Sequence, residues 1–466
     1  MIASPLSLNF FSSLSSRPNT GDLLQSPIYY AIVTKKDGSA TAICLNPSNG
    51  RRRSSHDLLH GTTKKKNMST SFYQLLPKFV QPSRRKSQST TIIPTFAQKN
   101  RFYGLPIEVI IHILLYLDVP TIIRNISTVS RSLNFICQSN LLWSALFARQ
   151  FFRTTSVPSF YNLYKSHKIL GSRWQQGQTT THYLHGHQKS IYCLAWMGSD
   201  HVLSGGRDCE VMRWNLVTRK IEATYTAHQA SVLCMRYDPI RGLITGSSDN
   251  SCWIWSPDLV PLKRLSGHSQ GVLDVCFVGD LCVSASRDHS IRIWRDGETE
   301  RILMHAGPVN AVASFGSTSL ASASGDGKLK IWDLETGECL RTMDHDRGLA
   351  CIKVNGTSIY TGGQDGKVRI WNGLTGECLS VLKGHTDVIR SIDCLGDKIL
   401  TGSYDCTLRV WDSNTGQCLL SFQSGHSSWI FNVLISRSRI LSAGQDKRIM
   451  ILDFSDGLTI ADGPSK

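Results

Sequence analysis

From His187 to Asp453 one pattern returns seven times: a His, an Asp some twenty residues on, and a Trp six residues after that. The copies are His187, Asp208 and Trp214; His228, Asp249 and Trp255; His268, Asp288 and Trp294; His305, Asp326 and Trp332; His345, Asp365 and Trp371; His385, Asp405 and Trp411; and His426 and Asp446, with Leu452 in the Trp position. Successive Asp residues lie 41, 39, 38, 39, 40 and 41 positions apart. That period is the mark of a propeller blade, a unit that buries its faces only against its neighbours.

Each repeat reads as four short strands. In the first they are Ser190 to Trp196, His201 to Gly205, Glu210 to Asn215 and Lys220 to Tyr225, with Gly, Asp or Ser at the turns. Glu335-Thr336-Gly337, Leu374-Thr375-Gly376 and Asn414-Thr415-Gly416 put Gly where a tight hairpin needs positive φ. The last repeat ends after its third strand near Asp453, and a spare segment, Gln178 to Leu184, precedes the first His. Placing that segment as the fourth strand of the last blade closes the ring and leaves no open edge. The fold class expected is therefore an all-β seven-bladed propeller, preceded by a small α-helical bundle and a disordered basic tail.

The charge of +16 is concentrated in that tail. Residues 1–100 hold fourteen Lys or Arg against three acids, so the body is only mildly basic and direct nucleic-acid binding rests on the tail alone. The tail is rich in Ser and Thr, with no sustained apolar period, which is the composition of a disordered segment. Its first twenty residues are Ser-rich and acid-free but carry one Arg where transit peptides carry several. Arg51–Arg53 and Lys64–Lys66 have the spacing of a bipartite nuclear signal, set against a merely solvated tail; the expected location is nucleus or cytoplasm. Met68 is a second candidate start, which would make residues 1–67 an extension without a role. No run of eighteen apolar residues occurs, so no membrane span is expected. Many of the fourteen Cys fall at equivalent repeat positions, no CxxC occurs, and they read as small apolar residues with free thiols.

From Phe102 the composition changes. Leu105, Pro106, Glu108, Val109, Ile110, Ile113, Leu114 and Leu117 describe an apolar helix face with Pro in its first turn, and Val129-Ser130-Arg131 and Leu142-Trp143-x-x-Leu146 follow on further short helices. This order resembles an F-box. The resemblance implies that Leu105, Pro106, Glu108, Ile113, Leu114, Leu117, Val129 and Trp143 bind a Skp-type adaptor, and through it a cullin-RING ligase. Phe151 to Gln178, with Tyr161, Tyr164 and Trp174, is too aromatic for a loose linker and is expected to pack as a rigid spacer. The domains expected are 1–100, 102–150, 151–178 and 179–460.

Four residues before every repeat Asp stands Ser or Thr, from Ser204 to Ser442. The repeats resemble the WD-repeat family, which links Trp, Ser/Thr, His and Asp in one hydrogen-bonded chain. The resemblance assigns Trp214, Ser204, His187 and Asp208 to such a chain, and likewise Trp411, Thr401, His385 and Asp405. Blade seven lacks the Trp and is expected to be the softest. A Ser-His-Asp set repeated seven times without a GxSxG elbow is framework rather than a hydrolase site, and no catalytic residue is assigned. His182, His185 and His187 with Cys193 lack the second clustered pair of a zinc site, so neither metal nor cofactor is expected.

In WD-repeat propellers similar to this one, the residue before the repeat Asp and the residue five after the repeat His line the narrow top of the ring. Those sets include Arg207, Arg287 and Tyr404, and Tyr192, Arg390 and Phe431. Three Arg and three aromatics suit a degron peptide, phosphorylated or mixed apolar and acidic. The Arg residues fall on blades one, three and six, whereas receptors that read phosphodegrons carry them on neighbouring blades. The reading is a non-catalytic substrate receptor of a ubiquitin ligase. Its rival is a nuclear WD-repeat scaffold whose F-box no longer binds the adaptor.

Overall fold

The computed structural model describes residues 29–34, 40–45, 105–151, 157–423 and 425–460. The chain divides into two units, Met1–Ala97 and Gln98–Lys466. In the first, β1 (Tyr29–Thr34) pairs antiparallel with β2 (Ala40–Leu45). Runs of strand-favouring residues, Tyr29–Thr34 and Ala40–Leu45, on either side of Asp37-Gly38 account for this hairpin, which the reading of the tail as unstructured missed. The rest of the tail, with the two basic clusters and the transit-like start, lies outside the described residues.

The second unit opens with helices. α1 (Ile107–Leu114) starts behind Pro106, and α2 (Val119–Thr121) is capped by Asp118, whose carboxylate accepts from the Thr121 amide at 3.2 Å. A π-helical turn at Ile122–Ile126 follows, then α3 (Arg131–Cys137) capped by Ser130 and α4 (Asn140–Gln150) capped by Ser139. These helices bury Ile110, Leu114, Ile122, Leu142, Trp143 and Phe147 in one small core.

α5 (Phe160–Gln176) is the connector, and it is a single helix ending at Gly177 with φ +67°. Its seventeen residues span about 25 Å. The first half belongs to the bundle: Tyr161 and Tyr164 pack against Trp143, and His167 against Phe147, with ring centroids 4.8, 5.2 and 5.0 Å apart. The second half belongs to the propeller. Trp174 stacks on Phe454 at 3.8 Å and donates Nε1 to the Arg437 carbonyl at 2.8 Å, while Arg173 donates to the carbonyls of Phe454 and Asp456 at 2.9 and 2.8 Å. The expected spacer is thus a strut rooted at both ends.

Seven four-stranded antiparallel sheets follow, six of them in simple sequence order. The seventh takes strands Ile430–Ile435, Arg439–Gly444 and Arg448–Asp453 from the chain's end and Thr180–His185 from before the first repeat, with His182 opposite Ile451. The first strands of successive blades meet around the ring. Two carboxylates stitch these strands together: Asp274 accepts from the Val312 amide and Asp393 from the Ile435 amide, both at 2.9 Å.

The repeated polar chain forms as expected in blade one. Trp214 Nε1 donates to Ser204 Oγ at 2.7 Å, the Ser204 hydroxyl to His187 Nε2 at 2.7 Å, and His187 Nδ1 to Asp208 at 2.8 Å. Blade six matches it through Trp411, Thr401, His385 and Asp405. Asp249, Asp288 and Asp405 sit below the usual carboxylate range. Burial opposes their ionisation, but hydrogen bonds from the paired His, neighbouring hydroxyls and backbone amides outweigh it.

Blade five departs from the pattern. Arg369 enters between His345 and Asp365, donating Nη1 to His345 Nδ1 at 3.0 Å and to Asp365 at 2.6 Å, and Nη2 to Asp346 at 2.6 Å. A guanidinium only donates, so His345 Nδ1 must accept and its Nε2–H points to Thr361 at 2.9 Å, the reverse of the other tautomers. Burial and then the Arg369 charge lower the His345 pKa to about 4.

Candidate functional site

Two surfaces qualify, one on the helical bundle and one on the top of the ring. On the bundle, α1 is apolar on both faces. Ile110, Ile111 and Leu114 point into the core, while Val109, Ile113 and Tyr116, spaced i, i+4 and i+7, are 41%, 39% and 66% exposed. Leu105, Val129, Phe135 and Leu141 are exposed as well. A stripe of this kind on a bundle of some fifty residues is a candidate binding face.

Of the eight residues assigned to adaptor binding, Leu105, Pro106, Glu108, Ile113 and Val129 are exposed and Leu117 is half-buried. Leu114 and Trp143 are corrected. Leu114 is buried, and Trp143 sits in the core with Nε1 bonded to the Cys137 carbonyl at 2.7 Å, so both hold the bundle together from inside. Their apolar character, not a binding role, is what the helical period had detected. Val109, read on the same helix face but not assigned to the adaptor, is exposed beside Ile113, and Tyr116 was missed although it continues the same spacing.

On the ring, a β-bulge decides which side chains reach the top. In every blade the innermost strand skips one residue between its fourth and sixth positions after the repeat His. The skipped residue is Tyr192, Leu233, Leu273, Asn310, Ala350 or Arg390 in blades one to six, and these six line the axial cavity. In blade seven it is Phe431, with 9% exposure. Deeper in the cavity Arg236 pairs with Asp274 at 3.7 Å and Lys353 with Asp393 at 2.8 Å, so its interior charges are matched.

The residue before each repeat Asp stands beside the third residue after the repeat His. The Arg207 amide donates to the Ser190 carbonyl at 2.8 Å, that of Tyr404 to Val388 at 3.0 Å and that of Gln445 to Trp429 at 3.0 Å. Trp429 is therefore a top-rim residue that the sequence reading missed. Comparing the third position after each His would have found it, because the other copies carry Ser190, Ser231, Gly271, Pro308, Gly348 and Val388.

Four aromatics come together here. Tyr404 stacks on Trp429 at 4.8 Å and 16°, Phe431 meets Tyr404 edge-on at 5.9 Å, and Tyr192 lies 5.0 Å from Phe431. Arg207 and Arg287 are exposed and Arg390 half-buried, and among the described residues none of the three has an ion-pair partner. Arg390 makes one long bond of 3.4 Å to the Ala350 carbonyl. Because the ring closes through blade seven, Arg390 and Tyr404 on blade six, Trp429 and Phe431 on blade seven, and Tyr192 and Arg207 on blade one form one continuous arc. Arg287, on blade three, stands apart from it.

The grouping of His182, His185, His187 and Cys193 does not assemble. His182 bonds Arg219 at 2.9 Å, and His187 is engaged in its blade's chain. His187, Asp208 and Glu210 lie close enough to share an ion, but His187 Nδ1 is already given to Asp208. The Ser204 side of that chain is fully buried, out of reach of any substrate.

Comparison with known proteins agrees with this division. The F-box-like domain matches residues 102–149, and the WD domain, G-beta repeat, matches six segments, 178–215, 219–256, 259–295, 297–333, 337–372 and 376–412. The unmatched seventh copy is the one with Leu452 for Trp. The DENN domain and WD repeat-containing protein SCD1 of Arabidopsis thaliana is 31% identical over 176 residues, covering 36% of this chain and 14% of that protein. Nuclear distribution protein nudF 1 of Talaromyces marneffei is 35% identical over 142 residues, covering 28% and 31%. The chain thus spans less than a third of either relative's length. The solved WD40 β-propeller domain of Doa1 superposes with a TM-score of 0.53 at 21% identity, over 59% of this chain and 97% of that one, which establishes the shared ring. With an F-box-like segment ahead of a closed ring of WD repeats, the chain belongs to the F-box/WD-repeat proteins.

Proposed function

We propose that this protein is a substrate receptor of a cullin-RING ubiquitin ligase, its bundle docking a Skp-type adaptor and its propeller top holding the target. The observation that carries the reading is α5, one helix with its first half in the bundle core and its second half clamped to blade seven. A scaffold needs two binding surfaces; a receptor needs them at a fixed separation, because its contribution is to hold a target lysine near the conjugating enzyme and make transfer effectively intramolecular. The exposed stripe Val109, Ile113 and Tyr116 supports the adaptor half of the reading, and the arc of aromatics and Arg residues supports the target half.

A pull-down with recombinant Skp-type adaptor tests it. Wild type should be retained, and Leu105→Ala with Pro106→Ala should abolish retention. No association, or association indifferent to that double change, would leave the nuclear scaffold as the better account. The basic clusters at 51–66 are proposed to direct the chain to the nucleus. Removing residues 1–67 from a fluorescent fusion should then shift it to the cytoplasm.

A further inference from the structure

The arc over blades six, seven and one carries aromatics at positions where blades two to five carry none: there the equivalent residues are Ser, Gly, Pro, Leu, Asn, Ala, Arg and Gln. Trp429 is 46% exposed although one of its faces is stacked on Tyr404, so the other face is bare. Phe431 forms the floor between Tyr404 and Tyr192. A stacked indole is already immobilised, so a ligand side chain that covers it gains apolar contact at little further cost in side-chain entropy.

The charges around this platform are one-sided. Lys189, Arg207 and Lys447 are exposed and Arg390 is half-buried, against the exposed acid Asp387 and the half-buried Glu210. The network residues Asp208, Asp405 and Asp446 face inward with side-chain exposures of 8%, 8% and 4%. Arg207 and Arg390 stand at opposite ends of the arc with blade seven between them. Two guanidiniums so placed do not converge on one phosphate dianion, but each suits a singly charged carboxylate.

We infer that this arc is the docking surface for an unphosphorylated peptide in which one bulky apolar side chain, seated on Trp429 and Phe431, is flanked on both sides by carboxylates that reach Arg207 and Arg390. The inference rests on the receptor reading for its biological use but not for its chemistry. It names the class of degron: an aromatic or aliphatic anchor within an acidic stretch, readable without a kinase.

The test uses the full-length protein and short fluorescein-labelled synthetic peptides with a central Trp, Phe or Leu between Glu residues, followed by fluorescence polarisation. At least one such peptide should bind, and changing its central residue to Ala should weaken binding by roughly thirtyfold, as for a hot-spot side chain. Trp429→Ala should cost a similar factor without unfolding the ring, since the residue is exposed. Arg207→Glu and Arg390→Glu should each weaken binding by about tenfold, and Arg287→Glu should leave it unchanged. Replacing Glu with phosphoserine should change affinity by less than about threefold.

Failure of every apolar-centred peptide to bind, indifference to Trp429→Ala, an equal effect of Arg287→Glu, or a strict need for phosphoserine would each overturn the inference. The adaptor pull-down is run on the same preparation. Adaptor capture without peptide binding sinks this inference and spares the ligase reading, and peptide binding without adaptor capture does the reverse.

Discussion

Replacing Trp174 with Ala isolates the contribution of the strut. Trp174 lies 3.8 Å from the fully buried Phe454 with the rings 10° from parallel, and its Nε1 bonds the Arg437 carbonyl at 2.8 Å. The stack contributes about 1 kcal/mol beyond area burial, the hydrogen bond about 1 kcal/mol more, and the lost apolar contact about as much again. About 3 kcal/mol in all corresponds to a change of roughly 150-fold in the equilibrium for undocking the helix end. Amide exchange reads this directly, because local opening sets the protection of the amides it frees. Protection over residues 170–176 should fall by about a hundredfold, while residues 163–167, held by Trp143 and Phe147, should change little. Adaptor and peptide affinities should stay at wild-type values, and ubiquitin transfer to a bound target should drop. Unchanged protection at 170–176 would refute the clamp. Undiminished transfer by a variant with lost protection would refute the claim that fixed separation matters.

Three further outcomes are expected. Val109→Asp with Ile113→Asp should eliminate adaptor capture with an unchanged melting temperature, whereas Trp143→Ala should cost about 3–5 kcal/mol and unfold the bundle; thermal unfolding with the pull-down separates the two effects. Trp411→Phe removes the donor to Thr401 and should cost about 1–3 kcal/mol in denaturant unfolding, and a cost near zero would mean that the buried chain contributes shape alone. Stability should also decline in acid through His345: its folded pKa of about 4 lies below the ordinary value, so its contribution is complete above about pH 6.5 and is lost as pH falls towards 4. His345→Gln should reduce the slope of stability against pH in that window by up to about 3 kcal/mol overall, and an unaltered slope would exclude His345 as its source.

The ring was legible because its determinants are periodic. Seven Asp positions about forty residues apart, Ser or Thr four before each, and a spare strand ahead of the first copy carry the whole topology, including the closure of Thr180–His185 on Arg448–Asp453. What was not legible is what lies between periodic positions. Leu114 and Trp143 share a spacing with exposed neighbours, and only the packing of α1 against α4 and α5 decides which of them faces inwards. Trp429 stands out only when the third position after each His is compared across the copies, because that position lies outside the His, Asp and Trp pattern that defines the repeat. The connector's aromatics announced burial but not that one helix would divide them between two cores. Asp346 likewise looks unremarkable in sequence, yet it is the carboxylate that holds Arg369 across the His345 side of blade five.

Blade seven shows how a missing periodic residue is compensated. Without the Trp, Ser442 keeps its bond to His426 at 2.8 Å but has no indole donor, and on that ground alone the blade would be the softest of the seven. Leu452 is nevertheless buried, in a cluster that also takes in Phe454, Leu170 from α5, and Trp174 and Phe422 at its edge. The apolar area that an indole would have filled from within is instead covered from outside by the helix that arrives from the bundle. Blade seven is thus both the blade on which the ring closes and the one the strut grips, and between Arg390 and Arg207 it supplies Trp429 and Phe431 to the aromatic arc. A movement of the strut would therefore be felt first by the blade at the centre of the proposed peptide surface, which makes peptide affinity in Trp174→Ala, expected to be unchanged, the measurement most able to reveal coupling between bundle and ring.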